Sequence, residues 1–173
     1  MSQQLVITAI GTDRTGIVSK LARLVTDYNA NIIDSRMAVF GNEFTFIMLI
    51  QGDQAAISKI EYLIPSLGSE LDLTTMTKRT TARPRTQVAA HYVLDYSGPD
   101  RVGTLGAITG LLASHNIYIG SLQSATTFNN DNTVQLHSQI TVEIPLGINP
   151  SDIETAVMAL LNELNLIGTF VMR

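Results

Sequence analysis

The stretch Gly11-Thr12-Asp13-Arg14-Thr15-Gly16 is written a second time as Gly98-Pro99-Asp100-Arg101-Val102-Gly103, an offset of 87 residues. The same offset carries Asn29 onto Asn116 and Ile32 onto Ile119 without a gap. In both copies a short apolar run precedes the motif and an amphipathic segment follows it. Solenoid repeats have periods of about 20–50 residues, so this period is domain-sized and points to a duplicated small domain. The expected boundaries are 1–79 for the first copy, 80–88 for a linker and 89–173 for the second. Thr80 to Gln87 is polar, holds one proline and has no apolar period, as a linker should.

Composition bounds the function. Of 173 residues, 45% are hydrophobic and 15% charged, which excludes intrinsic disorder. A net charge of −4 argues against a dedicated nucleic-acid binder, because such proteins draw affinity from a basic surface. The charge is uneven. Residues 1–79 carry 8 acidic and 7 basic side chains, whereas residues 88–173 carry 7 and 2. The acidic second copy suits a partner with a basic surface, against the plainer reading of a solvated face. With no cysteine, disulfides, thiol nucleophiles and Cys-based zinc sites are excluded. Met1 to Gln4 lacks a signal-peptide pattern, and the longest strongly apolar stretch, Phe46 to Ile50, is too short to span a bilayer. The expectation is a soluble cytoplasmic protein that does not engage a membrane.

Periodicity gives the same six elements in each copy. Leu5 to Ile10 reads as a strand that stops at Gly11. Ile17, Leu21, Leu24, Val25 and Tyr28 then share one helical face, and Asn29 can end that helix in a left-handed conformation. Asn31 to Val39 and Phe44 to Gln51 form a hairpin through Gly41-Asn42. Asp53 is the expected N-cap of a second helix, bearing Ile57, Ile60, Ile64 and Leu67, that Gly68 stops before a strand from Leu71 to Lys78. In the second copy the strand is Ala90 to Tyr96, the helix Thr104 to His115 and the next strand Ile117 to Thr127. A turn at Asn129 to Asn132 leads into the alternating strand Val134 to Ile144. Ser151 is the expected N-cap of the last helix, with Glu154 closing a capping box, and Leu166 to Met172 is the last strand. The class is α+β: two βαββαβ units of the ferredoxin-like kind, each a four-stranded antiparallel sheet with two helices on one face. Each unit leaves one sheet face and its edges open, so close association of the two copies is expected.

The repeated loop joins the first strand to the first helix, where backbone N–H groups lack partners and carry partial positive charge. Gly11 and Gly16 permit a sharp turn and close approach of a ligand. A free amino acid needs donors for its carboxylate and acceptors for its ammonium. Amides from Thr12 to Val18 can donate; Asp13, backbone carbonyls or the Asn31 side chain can accept. The plainer alternative is that Asp13 and Asp100 only cap the helices. The loop lacks the Gly-Lys-Ser/Thr ending of a P-loop, so a nucleotide is not expected.

Two such units, each with Gly-x-Asp-Arg-x-Gly opening the first helix and Asn31-Ile32 or Tyr118-Ile119 entering the second strand, resemble tandem ACT domains. Length and the absence of any other domain make the chain similar to the glycine cleavage system transcriptional repressors. The resemblance implies a regulator without catalysis and without a cofactor, responsive to a small amino acid, glycine among the candidates. It implies action through a separate DNA-binding activator rather than direct contact with nucleic acid, and leaves homo-oligomerisation open. Carried over by position, the ligand residues of the first copy are Gly11, Thr12, Asp13, Gly16, Ile17 and Val18, with Asn31 and Ile32. Those of the second copy are Gly98, Asp100, Gly103, Thr104 and Leu105, with Tyr118 and Ile119. Pro99 in place of Thr12, Tyr118 in place of Asn31 and Gly120 in place of Ile33 favour the first loop as the better site.

Three rival readings follow from the same residues. A small acylphosphatase-like enzyme would use a loop arginine, a role for Arg14 or Arg101, but its Gly-x-Val-x-Gly-Val loop is absent. His91, His115 and His137 lack metal or triad spacing. RNA binding would use Phe44 and Phe46 on the sheet and the basic cluster Lys78, Arg79, Arg83 and Arg85. The third is an amino-acid-sensing subunit acting on a metabolic enzyme.

Overall fold

A computed structural model describes residues 2–81, 88–128 and 134–173. Most of the expected linker, with Arg83 and Arg85, and the expected turn at Asn129 to Asn132 lie outside the described residues. The chain divides into two compact units, 1–83 and 84–173.

The first unit runs β1 (Gln3–Thr12), α1 (Ile17–Asp27), β2 (Asn31–Phe40), β3 (Glu43–Gly52), α2 (Gln54–Glu70) and β4 (Leu73–Thr80). The second runs β5 (Val88–Pro99), α3 (Thr104–Ser114), β6 (Tyr118–Phe128), β7 (Val134–Pro145), α4 (Pro150–Glu163) and β8 (Ile167–Met172). Each sheet is antiparallel, with orders β2-β3-β1-β4 and β6-β7-β5-β8. Both units are therefore ferredoxin-like α+β sandwiches, as the βαββαβ pattern requires.

Alternation along the strands decides which face is buried. Leu5, Ile7 and Ala9 of β1 and Phe44, Phe46, Met48 and Ile50 of β3 meet Leu21, Val25, Ile57, Ile60 and Ile64 of the two helices in one core. Leu94, Tyr96, Ile140, Val142 and Ile144 meet Ile108, Leu112, Ile153, Val157 and Leu161 in the other. Phe44 and Phe46 are 1% and 5% exposed, which removes them as base-stacking platforms. Among the described residues, the opposite faces carry no helix. In the first unit that face presents Val6, Ile10, Ile47, Leu49 and Met76; in the second, His137, Gln139 and Thr141 of β7 stand with Val93 of β5 and Ile167 and Val171 of β8. The edge strand β6 holds no charged residue, whereas β2 holds Asp34 and Arg36.

Every helix is followed by an Asn or Asp in the left-handed region: Asn29, Asp72, Asn116 and Asn165, with φ of 55–57°. The Ala30 amide donates to Val25 O and the Asn29 amide to Thr26 O, so the orphan carbonyls of α1 are closed by a Schellman-type exit. Asn116 and Ile117 repeat this after α3, at 3.0 and 2.9 Å.

Three sequence expectations change. Gly68 does not stop α2, which continues to Glu70. A Cβ at Gly68 would stand 2.7 Å from Thr75 Cγ2, so this glycine lets the helix press on β4. Ser151 is not the N-cap of α4. Pro150 fits the first helical position, so the cap falls one residue earlier on Asn149, whose side chain accepts from the Ser151 amide at 3.2 Å. β1 passes through Gly11 to Thr12, because Gly11 pairs with Phe44 on one side and Leu73 on the other. Asp53 does cap α2, accepting from the Ala56 amide at 2.7 Å. No helix among the described residues is long and apolar enough to cross a membrane.

Candidate functional site

The two glycines of each repeated loop have different work. A Cβ at Gly11 would lie 2.6 Å from the Asp72 carbonyl oxygen, and one at Gly98 would lie 2.8 Å from Leu166 Cδ2. Both glycines admit the start of the neighbouring strand and are packing positions. Gly16 and Gly103 sit at φ of 94° and 92°, as N-caps of α1 and α3, and a Cβ on either would meet nothing within 4 Å. The left-handed backbone there selects glycine, and the space above it is open.

Among the described residues, no side chain caps α1 or α3. Asp13 and Asp100, the expected cap alternatives, stand three residues too early. The Ile17 amide bonds back to Arg14 O at 3.4 Å and the Lys20 amide opens the helix by bonding to Gly16 O at 3.0 Å. The amides of Val18 and Ser19 between them belong to the uncapped first turn, where the partial positive charge of the helix is concentrated. The Asp13 amide bonds to Asn42 O at 3.2 Å and fixes the loop against the β2–β3 hairpin. Thr12, Asp13, Gly16 and Val18 are exposed and Ile17 is buried. The Arg14 guanidinium donates to the Leu71 carbonyl at the exit of α2, which accounts for that side chain without an anion.

The second loop differs in its polar atoms. Asp100 accepts from Thr126 Oγ1 at 3.0 Å, and the buried Thr104 donates its hydroxyl to Arg101 O at 2.9 Å. Leu105, the next residue, is exposed.

Asn31 and Ile32 are not brought to the loop of their own unit. Thr12 pairs with Glu43 at one end of β3, and Asn31 pairs with Gln51 at the other. Eight residues of strand, roughly 27 Å at about 3.4 Å each, separate them. Tyr118 and Ile119 pair with Glu143 and Val142, while Asp100 lies beside Val134, so the second unit repeats this separation. The sequence shows the two segments close to the same motif; only the sheet register shows them at opposite ends. Ile33 and Gly120, one position further on, mark a β-bulge in each unit, at the shifts Ile32/Asp34 and Ile119/Ser121.

The histidines occupy β5, the exit of α3 and β7. His115 Nδ1 lies 2.9 Å from Leu111 O, and His137 Nε2 lies 3.8 Å from Asp95 Oδ2. No group of three metal-ligating side chains occurs among the described residues. Of the basic cluster, Arg79 is held by Glu61, Ser58 and Gln3 at 2.7–2.9 Å.

The ACT domain family matches residues 3–78. The chain is 43% identical over 166 residues to the glycine cleavage system transcriptional repressor of Escherichia coli K12, covering 95% of this chain and 87% of that one. It superposes on a crystal structure provisionally named as a glycine cleavage system transcriptional repressor with a TM-score of 0.78, at 37% identity, over 100% and 98% of the two chains. A protein of unknown function from Galdieria sulphuraria shares the fold, with a TM-score of 0.80 at 24% identity over 100% and 99% of the chains. With this identity across nearly its whole length and two sheets of matching topology, the chain belongs to the tandem ACT-domain family of glycine cleavage system transcriptional repressors, and its role is regulatory.

Proposed function

We propose that the chain is a non-catalytic, amino-acid-responsive regulator that represses the glycine cleavage operon by contacting a DNA-binding activator. The observation that carries the sensing half is the uncapped start of α1 beneath open space at Gly16. A small carboxylate fits the Val18 and Ser19 amides, and the exposed Asp13 can take the ammonium. Glycine, with no side chain to clear the loop, is the first candidate. The second loop is the weaker site: Pro99 lacks an amide donor and Asp100 is engaged with Thr126. A second copy whose β2 edge ran antiparallel alongside would bring its Asn31 and Ile32 towards the first loop. The partner half draws support from the acidic second copy, which suits a basic surface on the activator.

A thermal-shift series with glycine tests the loop. At 100 times its dissociation constant a ligand adds about 2.7 kcal/mol to the folded state. Asp13→Asn should weaken the response, and the absence of any shift with millimolar glycine or another small amino acid would remove the loop as a sensor. For the partner, the chain should retard operator DNA only with an activator present. Tight, salt-sensitive retardation by the chain alone would overturn that half.

A further inference from the structure

We infer that the helix-free sheet face of the first unit holds a second, separate binding site for a free α-amino acid with an apolar side chain. A concavity of about 310 Å³ opens on that face, at the lower end of the volumes of small-molecule pockets. Its floor is Val6, Ile47 and Leu49, and its rim is Asp34 and Arg36, with Thr80 and Thr81 also lining it. The sheet register builds this arrangement. Val6, Leu49 and Asp34 form one cross-strand row; Thr8, Ile47 and Arg36 form the next. Asp34 and Arg36 therefore stand two residues apart on one strand and on one face.

Their charged atoms, Arg36 Nη2 and Asp34 Oδ2, are 3.5 Å apart, and both side chains are more than half exposed. An exposed pair of this kind is held weakly, so it rearranges readily around a ligand. An α-amino acid carries its ammonium and carboxylate on one carbon, at a comparable spacing. The guanidinium can fork onto the carboxylate while Asp34 accepts from the ammonium. That pose lays the side chain on Ile47 and Leu49, of which Ile47 is 44% exposed. A longer peptide separates its terminal charges too widely to meet both groups. A simple amine or acid satisfies one of them. Glycine leaves the floor wet.

The second unit supplies an internal contrast. The positions equivalent to Asp34, Arg36, Leu49 and Ile47 are Ser121, Gln123, Thr141 and Gln139. Both charges and both floor residues are gone there. The site also stands apart from the loop, which meets β3 at Glu43, and it does not depend on the loop being a sensor.

The test is titration calorimetry of the full chain with L-leucine, glycine, 3-methylbutylamine and 4-methylpentanoate. L-leucine should bind saturably, and each of the other three should bind this face about tenfold or more weakly. Arg36→Gln and Ile47→Gln, which install the residues of the second unit, should each reduce leucine affinity by about tenfold or more. Asp13→Asn, which acts on the loop, should leave it unchanged. Melting curves check that these surface variants fold. The inference is overturned by no saturable leucine binding up to about 10 mM, by unchanged affinity in both Gln variants, or by 3-methylbutylamine binding as tightly as leucine. Displacement of leucine by stoichiometric glycine would place it in the loop and would equally overturn the second site.

Discussion

The first unit pairs Ala9 of β1 with Phe46 of β3, and Phe46 with Met37 of β2. At the same places the second unit pairs Tyr96 with Ser138, and Ser138 with Ser124. The large side chain has moved from the central strand β3 to its neighbour's equivalent, and the matching positions on β7 and β6 carry serines. Ser124 and Ser138 lie 2.6 Å apart, and the buried Tyr96 hydroxyl beside them has no partner with hydrogen-bonding geometry among the described residues. Backbone devices behave differently. The left-handed glycine N-cap, the Asn exit and the bulge on the edge strand are the same in both units. The comparison separates what the fold demands, which is backbone conformation at a few positions, from what it tolerates, which is any side-chain set of the right total volume.

Truncation should break the comparison most strongly at Phe46. Phe46→Ala should cost about 3–5 kcal/mol in urea unfolding, whereas Ser138→Ala at the matching place should cost about 1 kcal/mol. Equal losses would mean that the two cores are not filled in the opposite senses described. Gly11→Ala should cost about 1–3 kcal/mol, because its Cβ meets a carbonyl oxygen that belongs to the backbone. Gly16→Ala should cost about 1–2 kcal/mol through its left-handed φ alone. The paired substitutions at Gly98 and Gly103 should follow the same order, measured by thermal melts.

A smaller effect separates the capping residues of α4. Asn149→Ala should lose about 1 kcal/mol and Ser151→Ala close to none. The reverse order would restore the cap to Ser151.

Tyr96→Phe should change stability by no more than about 1 kcal/mol at neutral pH, because the hydroxyl it removes is buried without a partner of hydrogen-bonding geometry. Its signature is alkaline. Burial raises the Tyr96 phenol above its ordinary value and the Ser138 hydroxyl lowers it in part. The folded state therefore holds its proton longer than the unfolded state. Stability from this group is present below the unfolded pKa of about 10 and is lost as pH rises from there through the raised folded value. Denaturant melts between pH 9 and 11 (about one unit either side of that value) should show a loss in the parent chain that Tyr96→Phe reduces.

Much of the fold was legible because duplication doubled every signal. Asn29 and Asn116 were readable as helix exits from their place after an apolar helical face, and Asp53 as a cap from its place before one. Gly68 misled because glycine also serves close helix–strand contact, and that need is written in Thr75, seven residues away on another element. Asn149 was hidden behind Ser151 because two capping residues flank one proline, and only the fixed φ of Pro150 decides between them. The candidate loop was readable as a strand-to-helix turn. Its separation from Asn31 was not, because it depends on which end of β3 each segment meets. The open-face concavity left no mark in the linear order, since its residues come from β1, β2, β3 and the end of β4 and meet only in register.

The uncharged edge of β6 has a practical consequence. From Ile119 to Phe128 its outer side offers a ribbon of main-chain donors and acceptors with no ionic gatekeeper among them. On β2 the same ribbon is interrupted by an acid and a base. Cut apart and concentrated, the C-terminal half should be the one that precipitates first, and a single lysine placed mid-ribbon, at Gln123, should keep it in solution.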